Sequence, residues 1–263
     1  MVDDGGGFDV LGPLRAHRLG AAMPVPVGVQ RVVLMTLLVA RRAVTGRHLL
    51  DLAWPDSVPP SGMKAVHVAI SRLRGWLRSA FPGTHITRDN DSYRLDLGPW
   101  TLDADRFDHL ACRGMDRTTA TVVRVRHLAA ALAIWRGPVL DAHPVAADFP
   151  TTAGWDLTRT AAACALADAA ITSGSHLVAV PALAALAIER PMDEAVYASW
   201  AHLLTTCGRQ AEAVAVLNTI RARLVDHLGL EPGPVLRAAL QQALTRPLPE
   251  APYTPTRVPI GPL

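Results

Sequence analysis

Residues 63–80, MKAVHVAISRLRGWLRSA, constrain the chain more than any other stretch. On a helix at about 100° per residue, Val66, Ala69, Ile70, Leu73, Trp76, Leu77 and Ala80 fall in one arc. Lys64, His67, Val68, Ser71, Arg72, Arg74, Gly75 and Arg78 fall in the opposite arc. All the cations share that outer face, and no Asp or Glu interrupts them. A solvated helix ordinarily mixes both signs. A cation-only face behind a clean apolar stripe fits an anionic partner; the plain alternative is an Arg-rich amphipathic surface helix.

The flanking sequence weighs toward the anion. Residues 1–7, MVDDGGG, read as a flexible tail. Phe8 to Leu19 reads as one or two short strands around Gly12-Pro13, and Pro24 to Val29 as another. Gln30 to Arg42 reads as a largely buried helix. Thr45 is placed to N-cap a short helix over Gly46 to Ala53, burying Leu49, Leu50, Leu52 and Trp54. Pro55, Pro59 and Pro60 make PDSVPPSG a stiff exposed loop, and Ser61 is placed to cap the basic helix. Pro82-Gly83 ends that helix. Thr84 to Arg88 and Tyr93 to Leu97, joined by DND, read as a β-hairpin. Strands, three helices and a hairpin make a winged helix-turn-helix, and the basic helix is third, where that architecture reads a major groove.

Charge follows the same division. Residues 1–98 hold 12 Lys+Arg against 8 Asp+Glu, and residues 99–263 hold 14 against 15. A basic front and a neutral rear suit a polyanion at the front only. The chain is 50% hydrophobic and 19% charged, enough apolar surface for real cores. Cys112, Cys164 and Cys207 are far apart with no metal spacing and read as reduced core thiols. His127, His143, His176 and His202 likewise show no metal spacing and read as surface or satisfied core residues. Trp54, Trp76, Trp135 and Trp200 read as core, with Trp135 at the joint between domains. The longest apolar run, Val32 to Ala40, is too short to span a membrane and too far in for a signal peptide.

From Asp103 onward the sequence is Ala/Leu-rich and helical, with helices expected near 103–113, 117–136, 152–173, 175–189, 192–207, 209–228 and 234–245. Gly174 and Gly208 are 34 residues apart, as are Ala179 and Ala213, Leu183 and Leu217, and Leu186 and Ile220. A 34-residue period of paired helices is the tetratricopeptide pattern, with Pro181 expected to kink or shorten one helix. Residues 247–263 are Pro-rich and read as a tail or linker. The expected architecture is mainly α with a small β component. Its parts are 8–98, a winged helix; 99–246, an all-α tetratricopeptide-like domain; and the two tails.

FDVLGPL (8–14), VHVAISRLRGWL (66–77), ITRDNDSYRLDL (86–97), DADRFDHL (103–110), LAAALAIWRGPVLDA (128–142), GRQAEAV (208–214) and LVDHLGLEPGPVLRAALQQAL (224–244) together resemble the SARP family. These Streptomyces antibiotic regulatory proteins join an OmpR-type winged helix to a bacterial transcriptional activation domain. The resemblance implies an activator of biosynthetic gene clusters that binds direct repeats beside a promoter and contacts RNA polymerase. It implies base contacts by His67, Val68 and Arg72, with Arg72 suited to guanine and Val68 to a thymine methyl. It implies phosphate contacts by Lys64, Ser71, Arg74 and Arg78. Thr87, Arg88, Tyr93 and Arg94 match wing positions; Arg94 has Asp96 and Asp91 as alternative partners. Pro55, Asp56, Ser57, Val58, Pro59, Pro60 and Ser61 match the polymerase-contacting loop. The chain departs from the family where Ser92 replaces the usual wing Gly, and where Asp89 and Asp91 stand near an approaching phosphate.

No GxSxG, P-loop, paired carboxylates or Cys/His arrangement points to an enzyme. No metal or other cofactor is expected. The reading is a cytoplasmic, nucleoid-associated regulator whose partners are double-stranded DNA, RNA polymerase and a second protomer side by side on the DNA. The alternative is a tetratricopeptide-like scaffold for protein or peptide with a weakened DNA-binding half.

Overall fold

In a computed structural model of the chain, which describes residues 5–245, the apolar arc of 63–80 becomes the buried side of α3 (Gly62–Ala80). Val66, Ile70, Leu73 and Leu77 are at most 2% exposed. Burial of such side chains contributes about 1.5–3 kcal/mol each, which outweighs the roughly 1 kcal/mol that Gly75 costs inside a helix. Trp76 lies half-buried at the edge of the arc, against Phe8 (ring centroids 6.3 Å apart) and Phe81 (5.4 Å). α3 packs on α1 (Val29–Ala40) and α2 (Gly46–Ala53). Every residue of α1 from Val33 to Ala40 is buried. Thr45 caps α2 as its position predicts, accepting the His48 N–H at 3.2 Å. Leu49 and Leu50 are buried, Leu52 and Trp54 half-buried.

Two small sheets frame these helices. β1 (Gly6–Asp9), β2 (Arg15–Arg18), β3 (Ala21–Met23) and β7 (Thr101–Leu102) form one, in the order β3-β2-β1-β7, with β1 and β7 parallel. β4 (Val44–Thr45), β5 (His85–Asp89) and β6 (Ser92–Asp96) form the other, in the order β4-β6-β5.

Several expectations need correction. Gly6 and Gly7 belong to β1, not to a tail. A Cβ on Gly7 would meet the Thr101 carbonyl oxygen at 2.0 Å, so the close parallel approach of β7 selects glycine there. The third strand is Ala21–Met23, because Pro24 and Pro26 lack the N–H that a ladder needs. Ser61 precedes α3 but its side chain makes no cap bond; the Gly62 N–H turns back to the Pro59 carbonyl at 2.8 Å instead. The hairpin is one residue tighter at its turn, with Asp89 opposite Ser92 and Asn90 at φ 51°. Asn tolerates that left-handed conformation. Cys112 and Cys207 are exposed rather than core. The Nδ1 atoms of His127 and His202 are buried with no hydrogen-bond partner. Residues 1–4 of the expected tail and the Pro-rich segment 247–263 lie outside the described residues.

The chain divides into two compact units, the first running to Ala169 and the second beginning at Ala170, inside α7 (Pro150–Ser173). Residues 99–169 thus pack in one unit with the winged helix. One carboxylate ties them together. Asp103, at the start of α4 (Asp103–Met115), accepts the N–H groups of Val10 and Leu11 at 2.8 and 3.0 Å. Arg136 donates to the same carboxylate at 3.1 Å and to the Pro13 carbonyl at 3.1 Å. The backbone N–H groups of Arg136 and Leu140 close the cluster on the Leu11 and Val10 carbonyls, each at 2.9 Å. The FDVLGPL, DADRF and IWRGP motifs are therefore one hydrogen-bonded unit. Trp135, at 8% exposure, packs edge-on against Phe107 with Arg159 over its face at 4.5 Å. α4 and α5 (Thr121–Leu132) approach closely at Gly114, where a Cβ would meet Leu128 Cγ at 2.5 Å.

After α5, a left-handed turn at Leu140–Ala142 leads into the short α6 (Pro144–Ala147), an element periodicity does not mark. The segment that follows reaches α2. His48 pairs with Asp148 at 2.6 Å and its ring meets the edge of Phe149 at 5.7 Å.

The second unit carries the 34-residue repeat. α8 (Val180–Glu189), α9 (Glu194–Thr206), α10 (Gln210–Leu228) and α11 (Pro234–Thr245) pack with α9 against the other three. Ala179, Leu183 and Leu186 are buried, and so are their counterparts Ala213, Leu217 and Ile220. Gly174 and Gly208 both sit at turns with positive φ. Pro181 shortens its helix: α8 starts at Val180, behind a 3-10 turn at His176–Val178. Glu194 accepts the Gly233 N–H at 2.9 Å, and a Cβ on Gly233 would come within 2.8 Å of the same carboxylate.

Asp103→Ala strands two buried N–H donors and the Arg136 guanidinium; chemical denaturation should show a loss of about 2–4 kcal/mol. His143 caps α6 by accepting the Val145 N–H, and burial, then Arg31, holds its imidazole below the ordinary value. A lowered histidine leaves its full contribution above the unfolded value of 6.5 and loses it as pH falls toward the folded one. Denaturation stepped from about pH 7.5 to about pH 5 should therefore show a slope that His143→Asn, which keeps an acceptor, flattens.

Candidate nucleic-acid interface

The outward face of α3 is built by the same turns that bury its inner face. Lys64, His67, Ser71, Arg72 and Arg78 are exposed along it, and Val68 stands 41% exposed between them. Within the described residues no ion pair engages Lys64, His67, Arg72 or Arg78. Lys64, Arg72 and Arg78 therefore form a positive row on this face. Lys64, Val68 and Arg72 also border a groove completed by Val27, Val29 and Gln30 at the start of α1. Sequence reasoning missed these last three, because the loop before α1 carries no charge signal and only the packing of α1 on α3 brings it near.

Arg74 differs from its neighbours. It is half-buried, and its Nε and Nη2 donate to the Ile86 carbonyl of β5 at 3.1 and 2.9 Å. The C-terminal end of α3 is held by another arginine: Arg18 donates to the Ala80 carbonyl at 3.2 Å and lies over Trp100 at 5.8 Å.

The hairpin sorts the expected wing residues by strand alternation. Thr87 and Arg94 are cross-strand partners on the exposed face, and the Thr87 hydroxyl donates to the Arg94 carbonyl at 3.3 Å. Arg94 has no ion-pair partner within the described residues, because Asp96 faces His85 at 3.6 Å and Asp91 turns to α2. Tyr93 is 2% exposed, a core residue whose ring cannot reach an outer ligand. Arg88 lies over that ring at 5.6 Å and donates to the Asn90 carbonyl at 2.8 Å, so it braces the hairpin tip.

The two acids of the turn have separate roles. The Asp91 carbonyl accepts the Gly46 N–H at 2.7 Å and docks the turn on the N-terminus of α2. Asp89 accepts from the Asn90 amide at 3.3 Å. Pro55 to Ser61 form the exposed loop expected between α2 and α3, with Pro59 alone half-buried. No helix among the described residues is long and apolar enough to cross a membrane.

Residues 102–244 match the family model for the bacterial transcriptional activator domain. The chain is 33% identical over 248 residues to the transcriptional regulatory protein EmbR of Mycobacterium tuberculosis, covering 90% of this chain and 63% of EmbR. It is 28% identical over 251 residues to the regulatory protein DnrI of Streptomyces peucetius, covering 91% of this chain and 92% of DnrI. A solved structure of M. tuberculosis EmbR in complex with a low-affinity phosphopeptide superposes with a TM-score of 0.76 at 30% identity, covering 91% of this chain and 65% of that one. The chain thus spans just under two thirds of EmbR. A winged helix followed by an activator domain matched over more than half the chain makes this protein a member of the SARP family of bacterial transcriptional regulators.

Proposed function

We propose that the protein is a sequence-specific DNA-binding activator of a biosynthetic gene cluster. In this reading α3 enters the major groove, the β5–β6 hairpin lies along the neighbouring groove, and two protomers sit side by side on direct repeats near a promoter. Residues 8–98 serve as the DNA-binding domain and 99–246 as the activation domain. Arg72 is the base-reading residue, by bidentate contact to guanine. Val68 meets a thymine methyl, and His67 reaches a neighbouring base edge. Lys64, Ser71 and Arg78 hold phosphates and set the register, and Thr87 and Arg94 do so from the wing. The loop Pro55–Ser61 and the activation domain recruit RNA polymerase.

The observation that carries this reading is the row of exposed, unpaired cations on α3. Other surface arginines have acids within reach, Arg41 pairing with Asp105 at 2.7 Å and Arg47 with Asp51 at 3.1 Å, whereas α3 itself carries no Asp or Glu. Among the described residues Lys64, Arg72 and Arg78 form no ion pair.

Binding to promoter duplexes from the protein's own gene neighbourhood, beside a scrambled duplex and at several salt concentrations, tests it. Tight, repeat-dependent binding with a steep salt slope is expected. Arg72→Ala should cost about 1–3 kcal/mol and relax one base position, while Lys64→Ala should weaken all duplexes alike and flatten the slope by about one ion. Absence of binding at low salt would move the reading to a tetratricopeptide-like scaffold.

A further inference from the structure

The Arg74 side chain uses, on its own fold, the part of the guanidinium that grips phosphates best. Nε–H and Nη2–H form the fork that binds carboxylate and phosphate bidentately. Here both point at one oxygen, the Ile86 carbonyl. That acceptor has no strand partner. The hairpin closes with Asp89 opposite Ser92, so ladder bonds fall at alternate pairs and Ile86, opposite Leu95, directs its carbonyl away from β6. β5 is the last strand in the order β4-β6-β5. The Ile86 carbonyl therefore lies on an open edge, and a helix-borne arginine covers it in place of a neighbouring strand.

We propose that Arg74 is a positioning residue that sets the angle between the recognition helix and the wing, and that it acts on DNA through the hairpin rather than by a phosphate contact of its own. This inference rests on the DNA-binding reading above. The hairpin is braced at two places by different means. At the tip, Asp91 docks on Gly46 and Arg88 holds the Asn90 carbonyl. At the middle of β5, the Arg74 fork is the hydrogen-bonded link to α3. Without the fork the hairpin keeps its pairing with β4 at Ser92 and Tyr93 and the buried side chains of Ile86 and Tyr93, but β5 loses its hydrogen bonds from α3 and can swing relative to that helix. Swinging moves Thr87 and Arg94, the exposed pair that would meet the backbone, while leaving Arg72 in place. Arginine is required for the chemistry: a lysine ammonium keeps the charge but has no planar fork to hold one orientation.

Two measurements on the full chain test this. In the free protein, Arg74→Ala and Arg74→Lys should both quicken hydrogen exchange of the hairpin amides (85–96) by roughly tenfold, with α1 and α2 unchanged. On promoter duplexes, Arg74→Ala and Arg94→Ala should each weaken binding by roughly tenfold, and the double variant should be no weaker than either single one, because both remove the same wing contact. Additive losses, restoration by Arg74→Lys and unchanged hairpin exchange would overturn the proposal in favour of a direct phosphate contact. Faster exchange throughout the first unit would also overturn it, as a general fold defect. Failure of the wild type to prefer its promoter duplex over a scrambled one, with the hairpin still loosened, would reject the DNA reading and keep Arg74 as the anchor of the hairpin.

Discussion

The Asp103 carboxylate is the interaction on which the first unit depends. It lies at the junction of the first sheet, the α4 N-terminus and the turn after α5, with 7% of its side chain exposed. Burial pushes this carboxyl above its usual range; the Val10 and Leu11 N–H groups, with Arg136 adding less, act against that. A charge in such a place is costly unless its lone pairs are matched, and here each oxygen accepts at least one donor. The consequence is geometric. The winged helix is not a bead on a string, because Val10 and Leu11, directly after its first strand, donate to a carboxylate more than ninety positions later in the chain.

Arginine is used in two ways in this protein, and packing decides which. Arg18, Arg74, Arg88 and Arg136 all donate to backbone carbonyls and fix elements against one another. Arg72, Arg78 and Arg94 stand exposed. The first group shapes a surface and the second charges it. A reading based on charge alone cannot separate them, since the residue type is the same and the helical positions interleave: Arg72 and Arg74 are two residues apart, on the outward and β5-facing sides of α3.

The rear of the chain follows a different logic. Its repeat positions, Ala179, Leu183 and Leu186 and their counterparts Ala213, Leu217 and Ile220, are small or branched apolar residues that recur on buried faces. α9 is central in this unit, and its N-terminus is held both by its own Asp193 cap and by the Glu194–Gly233 contact. The family match covers this unit as far as residue 244 and reaches back through α5 and α4 into the first. The activator domain defined by sequence relationship therefore begins well before the second compact unit does.

Most of the fold was legible in the sequence. The amphipathic arc of 63–80, the Thr45 cap, the proline loop, the hairpin residues and the 34-residue spacing are local patterns, each spanning one or two elements. Local patterns are set by backbone periodicity and turn chemistry, which a linear reading can follow. What the sequence could not disclose are contacts made between distant segments. β7 pairs with β1 across more than ninety residues, Asp103 finds Arg136, and Gly7 is glycine because a backbone from elsewhere touches it. The same holds for the candidate site. The sequence determined that a cation-only face exists on the third helix and named its residues. Only the tertiary structure decided that Tyr93 is core, that Arg88 and Arg74 are bound to carbonyls, and that Val27, Val29 and Gln30 border the groove. Side-chain type states what a residue can donate, whereas packing places the acceptor.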